Sequence, residues 1–205
     1  MSSPPPETTT KPTGHLLPNG CRITHGQAGN IKKPFTHMDL TMHELTAGTS
    51  NNTKAFSGQL GFIEFTTSHR LPRHIHMDLS RTRLADERIL VLHGVGMVEI
   101  AGALWVVAPG SLVDAIGGVP HTWTACPAGV RLPNGVVSRG TFTMVYEYEE
   151  PTAFFPIAST EPIGSGSEYV EFTGDFDEIR FPELSRKEVI ARARVVIGRE
   201  VLSLQ

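Results

Sequence analysis

Short runs of β-branched, aliphatic and aromatic residues recur along the middle of the chain and end at glycine or proline. Successive runs are about 8–12 residues apart, and this spacing is typical of an all-β barrel or sandwich. The sequence contains no internal repeat that would indicate two barrels. The pattern therefore predicts one all-β domain. The runs occupy residues 61–67, 88–92, 96–100, 104–107, 112–116 and 141–148.

The composition is that of a soluble globular protein, with 40% hydrophobic and 19% charged residues in a chain of 205. A formal net charge of −3 without any basic run argues against nucleic-acid binding. No apolar run approaches the roughly 18 residues of a membrane span, and the N-terminus lacks the apolar core of a secretory signal. Two scattered cysteines, Cys21 and Cys126, fit a reduced intracellular setting as well as a disulfide, and we expect a cytoplasmic protein.

The two ends of the chain differ from the middle. The N-terminal segment is rich in proline, threonine and serine, which predicts a flexible or extended arm. Near the other end, Ser185 and Glu188 form the S-x-x-E pattern of a capping box, and the apolar residues that follow have helical spacing. We expect a helix over about residues 185–203 that packs on the barrel or on a partner subunit. The predicted segments are 1–20 for the arm, 21–183 for the barrel and 184–205 for the helix.

A pattern of histidine and glutamate marks the first half of the barrel. His74 and His76 are separated by one residue, so on a strand both side chains point to the same face. Glu87 opens the next apolar run, and His121 follows a later Gly-Gly turn. If the strand of His74 and His76 pairs with the strand that Glu87 opens, two imidazoles and one carboxylate converge on one point. Together with His121 they would suit a catalytic divalent transition metal that keeps open coordination positions.

These residues resemble the two motifs of the cupin superfamily, G-x5-H-x-H-x3,4-E-x6-G and G-x5-P-x-G-x2-H-x3-N. His74 and His76 supply the H-x-H, and Glu87 is separated by six residues from the glycine that ends the first motif. Gly110 and His121 stand at the spacing of the glycine and the histidine of the second motif. The resemblance implies a cupin-type double-stranded β-helix, that is, a jelly roll, to which a C-terminal α-helix is added here.

The resemblance covers about residues 61–125, and three positions depart from the family pattern. Ten residues rather than three or four separate the H-x-H from the glutamate. Ile116 stands at the usual proline and Ala125 at the usual asparagine. Neither of these two positions supplies a ligand in the family pattern. The resemblance implies four metal ligands, which are His74, His76, Glu87 and His121.

The donor set admits several metals. Fe(II) is the favoured cofactor, and Mn(II), Ni(II), Cu(II) or Zn(II) suit the same imidazole and carboxylate donors. If the longer connection kept Glu87 from coordinating, three histidines would remain, a set that still suits zinc or iron.

Two residues are candidates for acid or base catalysis. His93 shares the strand alternation of Glu87 and could face the cavity. Tyr146, on the strand over residues 141–148, could serve in the same way.

Four residues are candidates for substrate binding. Arg70 and Arg73 flank the histidine strand and could bind an anionic substrate by bidentate contacts, or could be solvated charges at the barrel edge. Phe62 and Trp123 could line an apolar pocket, although packing in the core is an equal alternative for the tryptophan.

The predicted function is that of a metal-dependent enzyme. The leading hypothesis is a dioxygenase that uses O₂ on a small aromatic, enol or polyketide-like compound. The alternative keeps the metal as a Lewis acid for isomerisation, cyclisation, dehydration or decarboxylation. A non-catalytic cupin that binds a small molecule is the third hypothesis. Resemblance to cupins also implies a homodimer.

Overall fold

The computed structural model describes residues 14–28, 30–32, 42–44 and 60–204. In these ranges the chain forms fifteen strands, one α-helix and three single turns of 3₁₀-helix. The helix, α1, spans Arg186–Arg192. The strands are β1 His15–Leu16, β2 Arg22–Thr24, β3 Asn30–Lys32, β4 Met42–Glu44, β5 Leu60–Thr66, β6 His74–Asp78, β7 Glu87–Gly94, β8 Gly96–Ile100, β9 Ala103–Val107, β10 Leu112–Ala115, β11 His121–Ala125, β12 Thr141–Tyr148, β13 Thr152–Pro156, β14 Arg194–Ile197 and β15 Glu200–Ser203.

The eight strands β5 to β12 form a jelly roll of two antiparallel sheets. One sheet has the order β10-β7-β12-β5 and the other the order β6-β11-β8-β9. The chain thus crosses repeatedly between the sheets, as a jelly roll requires. Strands β1 and β2 extend the first sheet, while β13 and the pair β14-β15 extend the second at its two edges. Strands β3 and β4 form a separate two-stranded sheet. The prediction of an all-β, cupin-like jelly roll is confirmed.

The space between the two sheets is filled by inward-facing apolar side chains. Phe142 stacks on Phe65, with 4.8 Å between ring centroids, and on Trp123, with 6.0 Å. Ile89 and Val91 alternate with outward residues on β7 and are fully buried. This core joins the inner faces of the two sheets, including the sheet that carries the histidines.

A second apolar cluster covers the outer face of the second sheet. Met97 and Val106 of that sheet pack in one cluster with Phe181, Val189 and Val195 from the C-terminal part of the chain. The sheet that carries the histidines is therefore buried on both faces.

The predicted N-terminal arm differs from the structure at its end. His15–Leu16 pairs with β2, so part of the segment 1–20 belongs to the first sheet. Leu17 and Cys21 are buried beside it. Residues 1–13, the remainder of the predicted arm, lie outside the described ranges.

The C-terminal helix is shorter than predicted. The capping box is present, since Ser185 Oγ accepts from the Glu188 N–H and Glu188 accepts from the Ser185 N–H. The helix ends at Arg192, however, and β14 and β15 follow as an antiparallel hairpin, with β14 parallel to β9. The residues of β14 are mostly β-branched and a glycine turn follows them, which favours a strand wherever an open sheet edge is available. No helix in the described part of the chain is long and apolar enough to cross a membrane.

Two glycines of the cupin-like motifs have left-handed backbone but different surroundings. Gly94 has φ +72°, and a Cβ there would overlap the backbone of Thr141 and Phe142. Gly110 has φ +77°, with no atom within 4 Å of such a Cβ. We expect Gly110→Ala to cost about 1–2 kcal/mol of unfolding free energy, which is the cost of the left-handed conformation alone.

Gly94→Ala is expected to cost about 2–5 kcal/mol, since overpacking adds about 1–3 kcal/mol to the conformational cost. Urea unfolding of the two variants beside the wild type measures both values. Equal losses would show that the close approach at Gly94 relaxes freely.

Candidate metal centre

Three histidines meet on the inner face of the second sheet. On β6, His74 and His76 alternate with Ile75, so both imidazoles point between the sheets. His121 is the first residue of β11 and pairs directly with His74 across the two strands. All three histidines are at most 2% exposed. The predicted convergence of the H-x-H pair and His121 is confirmed in position.

The orientation of each imidazole is fixed by a backbone carbonyl. A carbonyl oxygen only accepts hydrogen bonds, so each Nδ1 carries a proton, and in the neutral imidazole Nε2 is then the nitrogen with the lone pair. The potential ligand atoms of the three rings lie within 4.8 Å of one another. This is the arrangement of neutral imidazole ligands around one metal ion. The Nδ1 to oxygen distances are 2.8 Å for His74 to Pro72, 3.2 Å for His76 to Ala153 and 2.9 Å for His121 to Val119.

Glu87 reaches the same point from the opposite sheet. It is the first residue of β7 and is 4% exposed. Its Oε2 lies 3.0 Å from His121 Nε2 and 3.4 Å from His76 Nε2. Among the described residues, none of these three atoms has a hydrogen-bond partner. A buried carboxylate oxygen this close to two imidazole nitrogens is satisfied by a proton or by a metal cation between them. The donor set therefore fits a divalent metal.

The ionisation states also suit ligands. Burial, together with the neighbouring His121 and His76, lowers the pKa of His74 well below its ordinary value. Burial alone would raise the pKa of Glu87, but His76 and His121 outweigh it, so this pKa lies below its usual range. At neutral pH His74 is neutral and Glu87 is charged, as metal coordination requires.

The ten-residue connection before the glutamate is a closed turn. The carboxylate of Asp78 accepts hydrogen bonds from the backbone N–H groups of Thr82, at 2.7 Å, and Arg83, at 2.9 Å. The N–H of Ala85 then donates to the His76 carbonyl at 3.0 Å. Residues 79–83 thus lie at the surface. At Ala85 the chain is again beside the strand of His74 and His76, two residues before Glu87. The longer connection thus leaves Glu87 beside His76 and His121.

A pocket of about 460 Å³ opens beside the histidines. The ring of Phe154 lies 4.6 Å from that of His74, and the ring of Tyr148 lies 4.5 Å from that of His76, measured between centroids. No charged side chain of the described residues lines this pocket. Its walls are Leu60, Tyr146, Tyr148, Thr152, Ala153 and Phe154.

Tyr148 is the residue of the site that sequence analysis missed. It is 4% exposed and lies opposite Glu87 on neighbouring strands. Burial raises the pKa of its phenol, and Glu87 raises it further by its charge and a hydrogen bond, so the phenol stays protonated. Tyr146, the predicted catalytic tyrosine, is half-buried in the same pocket, with its ring 5.1 Å from that of Tyr148. The two tyrosines share one face of β12, but only the strand register shows which one meets Glu87.

The prediction that His93 faces the cavity is wrong. Strand β12 pairs Met144 with Val91 but Thr143 with His93, so β7 has one extra residue, Leu92, at a β-bulge. The alternation that begins at the glutamate is interrupted there. His93 is exposed, and it does not belong to the metal centre.

The two arginines do not reach the pocket either. Arg73 alternates with the inward histidines and points outward, where its Nε contacts Glu99 Oε1 at 2.7 Å and its Nη1 donates to Ala158 at 2.8 Å. Arg70 donates to the Phe181 carbonyl at 3.1 Å and lines a different cavity of about 420 Å³. Neither arginine lines the pocket beside the histidines.

The predicted pocket walls Phe62 and Trp123 also lie elsewhere. Phe62 is 70% exposed, because it lies on the face of β5 opposite to the inward-facing side chains of Ile63 and Phe65. Trp123 is 1% exposed and belongs to the core between the sheets. The wall opposite the tyrosines comes instead from Phe154 on β13, a strand that sequence analysis did not resolve.

No family model and no curated protein sequence matches this chain. Ten chains of solved structures are similar to it. One is a dTDP sugar isomerase from Desulfovibrio desulfuricans G20, with a TM-score of 0.43 and 12% identity over 75% of this chain and 94% of that one. Another is the polyketide cyclase RemF from Streptomyces resistomycificus, with a TM-score of 0.33 and 17% identity over 50% of this chain and 64% of that one.

With both TM-scores below 0.5, neither similarity informs on the activity of this chain. The strand order and the geometry of the site define its class: a cupin-like jelly roll with a cluster of His74, His76 and His121 that could bind a metal.

His76→Ala is expected to remove the metal from protein purified without chelators. Loss of a ligand should weaken binding beyond the roughly 10–100-fold that loss of an outer hydrogen bond costs. The matched control is His93→Ala on β7, the next strand along the chain, which should keep the metal. Elemental analysis of both variants, with Glu87→Ala beside them, measures the content. Loss in His76→Ala and Glu87→Ala alike indicates four ligands, while equal content in wild type and His76→Ala contradicts the site.

Proposed function

We propose that this chain is a metal-dependent cupin enzyme that acts on a small, uncharged aromatic or enol-type compound, with dioxygenation as its leading reaction. The observation that carries the proposal is the buried cluster of three histidines and Glu87, in contact with the aromatic walls of an open pocket. A metal in such a cluster would keep open positions for further ligands. Fe(II) is the proposed native metal.

The bound metal would supply a coordination site for O₂ and for the oxygen atoms of the substrate. The residues of the chain have separate tasks around it. His74, His76 and His121 offer imidazole nitrogen donors, and the charge of Glu87 offsets part of the charge of a divalent ion. Burial of these side chains excludes bulk water from their side of the metal.

The pocket walls select the class of substrate. Phe154 and the tyrosines Tyr146 and Tyr148 offer ring faces and edges, against which a planar molecule packs favourably. Arg73 is engaged with Glu99, and Arg70 lies at another cavity, so neither offers a bidentate contact to an anion here. A neutral planar compound with adjacent oxygen atoms, such as an enol, a diketone or a catechol-like ring, matches both features.

A second candidate function is a non-oxidative reaction, namely isomerisation, cyclisation, dehydration or decarboxylation. The observation that favours it is the pair of phenols, Tyr146 and Tyr148, at the pocket next to the cluster. A protonated phenol can donate a proton to a substrate whose carbonyl is polarised by a metal, and no oxidant is then needed.

The test combines metal loading with oxygen uptake. The metal-free protein is loaded with Fe(II) or with redox-inert Zn(II), and each form is given catechols, β-diketones and enols. Oxygen uptake with Fe(II) that is absent with Zn(II) and absent in His76→Ala supports the dioxygenase. Turnover with both metals and without oxygen supports the non-oxidative function. Tight binding without turnover by either form contradicts both and leaves a binding protein.

Phe154→Ala is expected to raise the KM for an aromatic substrate about 3–10-fold, because an aromatic pair contributes about 0.5–1.5 kcal/mol. Phe62→Ala is the matched control, since Phe62 is also exposed but lies outside the pocket. Steady-state kinetics of the two variants measures the effect. An unchanged KM in Phe154→Ala would place the substrate elsewhere.

A further inference from the structure

We propose that Tyr148 is a positioning residue that holds the Glu87 carboxylate against the histidines and so raises the affinity of the centre for its metal. The inference rests on the proposed function, because it needs a metal at the cluster. It assigns to the pocket wall a role in building the metal site, beyond the contact with substrate.

The geometry places the phenol between two ligands. Tyr148 and Glu87 are direct partners in the register of β12 and β7, and both side chains lie on the inner face of the first sheet. The ring of Tyr148 packs on His76, with 4.5 Å between centroids. Tyr148 thus contacts one ligand from each sheet, since His76 belongs to the second sheet and Glu87 to the first.

The Glu87 carboxylate presents one of its oxygens to the histidines. Its Oε2 lies 3.0 Å from His121 Nε2 and 3.4 Å from His76 Nε2, and the second oxygen can accept from a donor on another element. Directly opposite residues on paired antiparallel strands have Cβ atoms about 4.5–5.5 Å apart, so the phenol of Tyr148 is placed to donate to this carboxylate. A hydrogen-bonded carboxylate has fewer rotamers available and presents its free oxygen in one direction, which strengthens it as a ligand.

Tyr146 provides an internal comparison. It lies two residues earlier on the same strand face and lines the same pocket. Its strand partner is Ile89, however, and not Glu87. Removal of its hydroxyl should therefore alter the pocket and spare the carboxylate.

The experiment measures metal affinity in a double-mutant cycle. Dissociation constants for Zn(II) are determined on the full chain by competition with a chromophoric chelator, for Tyr148→Phe, Tyr146→Phe, Glu87→Ala and Tyr148→Phe/Glu87→Ala. We expect Tyr148→Phe to bind about 10–100-fold more weakly than wild type, the usual cost of losing a hydrogen bond behind a ligand. Tyr146→Phe should stay within about twofold.

The cycle separates positioning from packing. If Tyr148 acts through Glu87, the substitution Tyr148→Phe has no further effect once Glu87 is alanine, because the interaction is already absent. Thermal unfolding of the metal-free variants checks the fold, and phenylalanine keeps the ring that packs on His76.

Three results would overturn the inference. Wild-type affinity in Tyr148→Phe shows that the hydroxyl is not needed. An undiminished loss in the Glu87→Ala background, or a metal-free Tyr148→Phe chain that does not fold, assigns Tyr148 a packing role. In these cases the proposed function still stands. A wild-type chain that binds no Zn(II) and no Fe(II) removes the proposed function itself, and the inference with it.

Discussion

The candidate centre depends on hydrogen bonds from imidazole Nδ1 to backbone carbonyls. Two of these are local, since Pro72 precedes His74 by two residues and Val119 precedes His121 by two. The third joins His76 to Ala153 and exists only because β13 pairs with β6. Each bond fixes one tautomer and turns one lone pair towards the same space. Without them, three buried rings would have no reason to face a common point.

Features that follow from local pattern were predictable from the sequence. The glycine and proline spacing indicated the strands, and His74 with His76 indicated one strand face. The ten-residue connection before Glu87 departs from the spacing of the motif. Hydrogen bonds to the Asp78 carboxylate close the connection into a turn, so the longer spacing does not separate Glu87 from the histidines. Geometry in three dimensions tolerates a longer connection if its two ends stay paired.

Features that depend on register were not predictable. The exposure of His93 follows from a bulge opposite β12, and the contact of Tyr148 with Glu87 follows from the same strand pair. Both pairings join residues fifty or more positions apart, for which a single sequence gives no signal. The prediction of a helix over residues 185–203 failed for another reason. The apolar residues of β14 fit helical spacing, but pairing with the edge of β9 buries them in the second apolar cluster.

Strand β13 carries two neighbouring residues with different tasks. The carbonyl of Ala153 orients His76, and the side chain of Phe154 forms the pocket wall. In the described part of the chain, β13 is the edge strand of its sheet and is hydrogen-bonded on one side only, so it is the element of the site that yields most easily. The orientation of one candidate ligand and the shape of the pocket therefore depend on the same short edge strand.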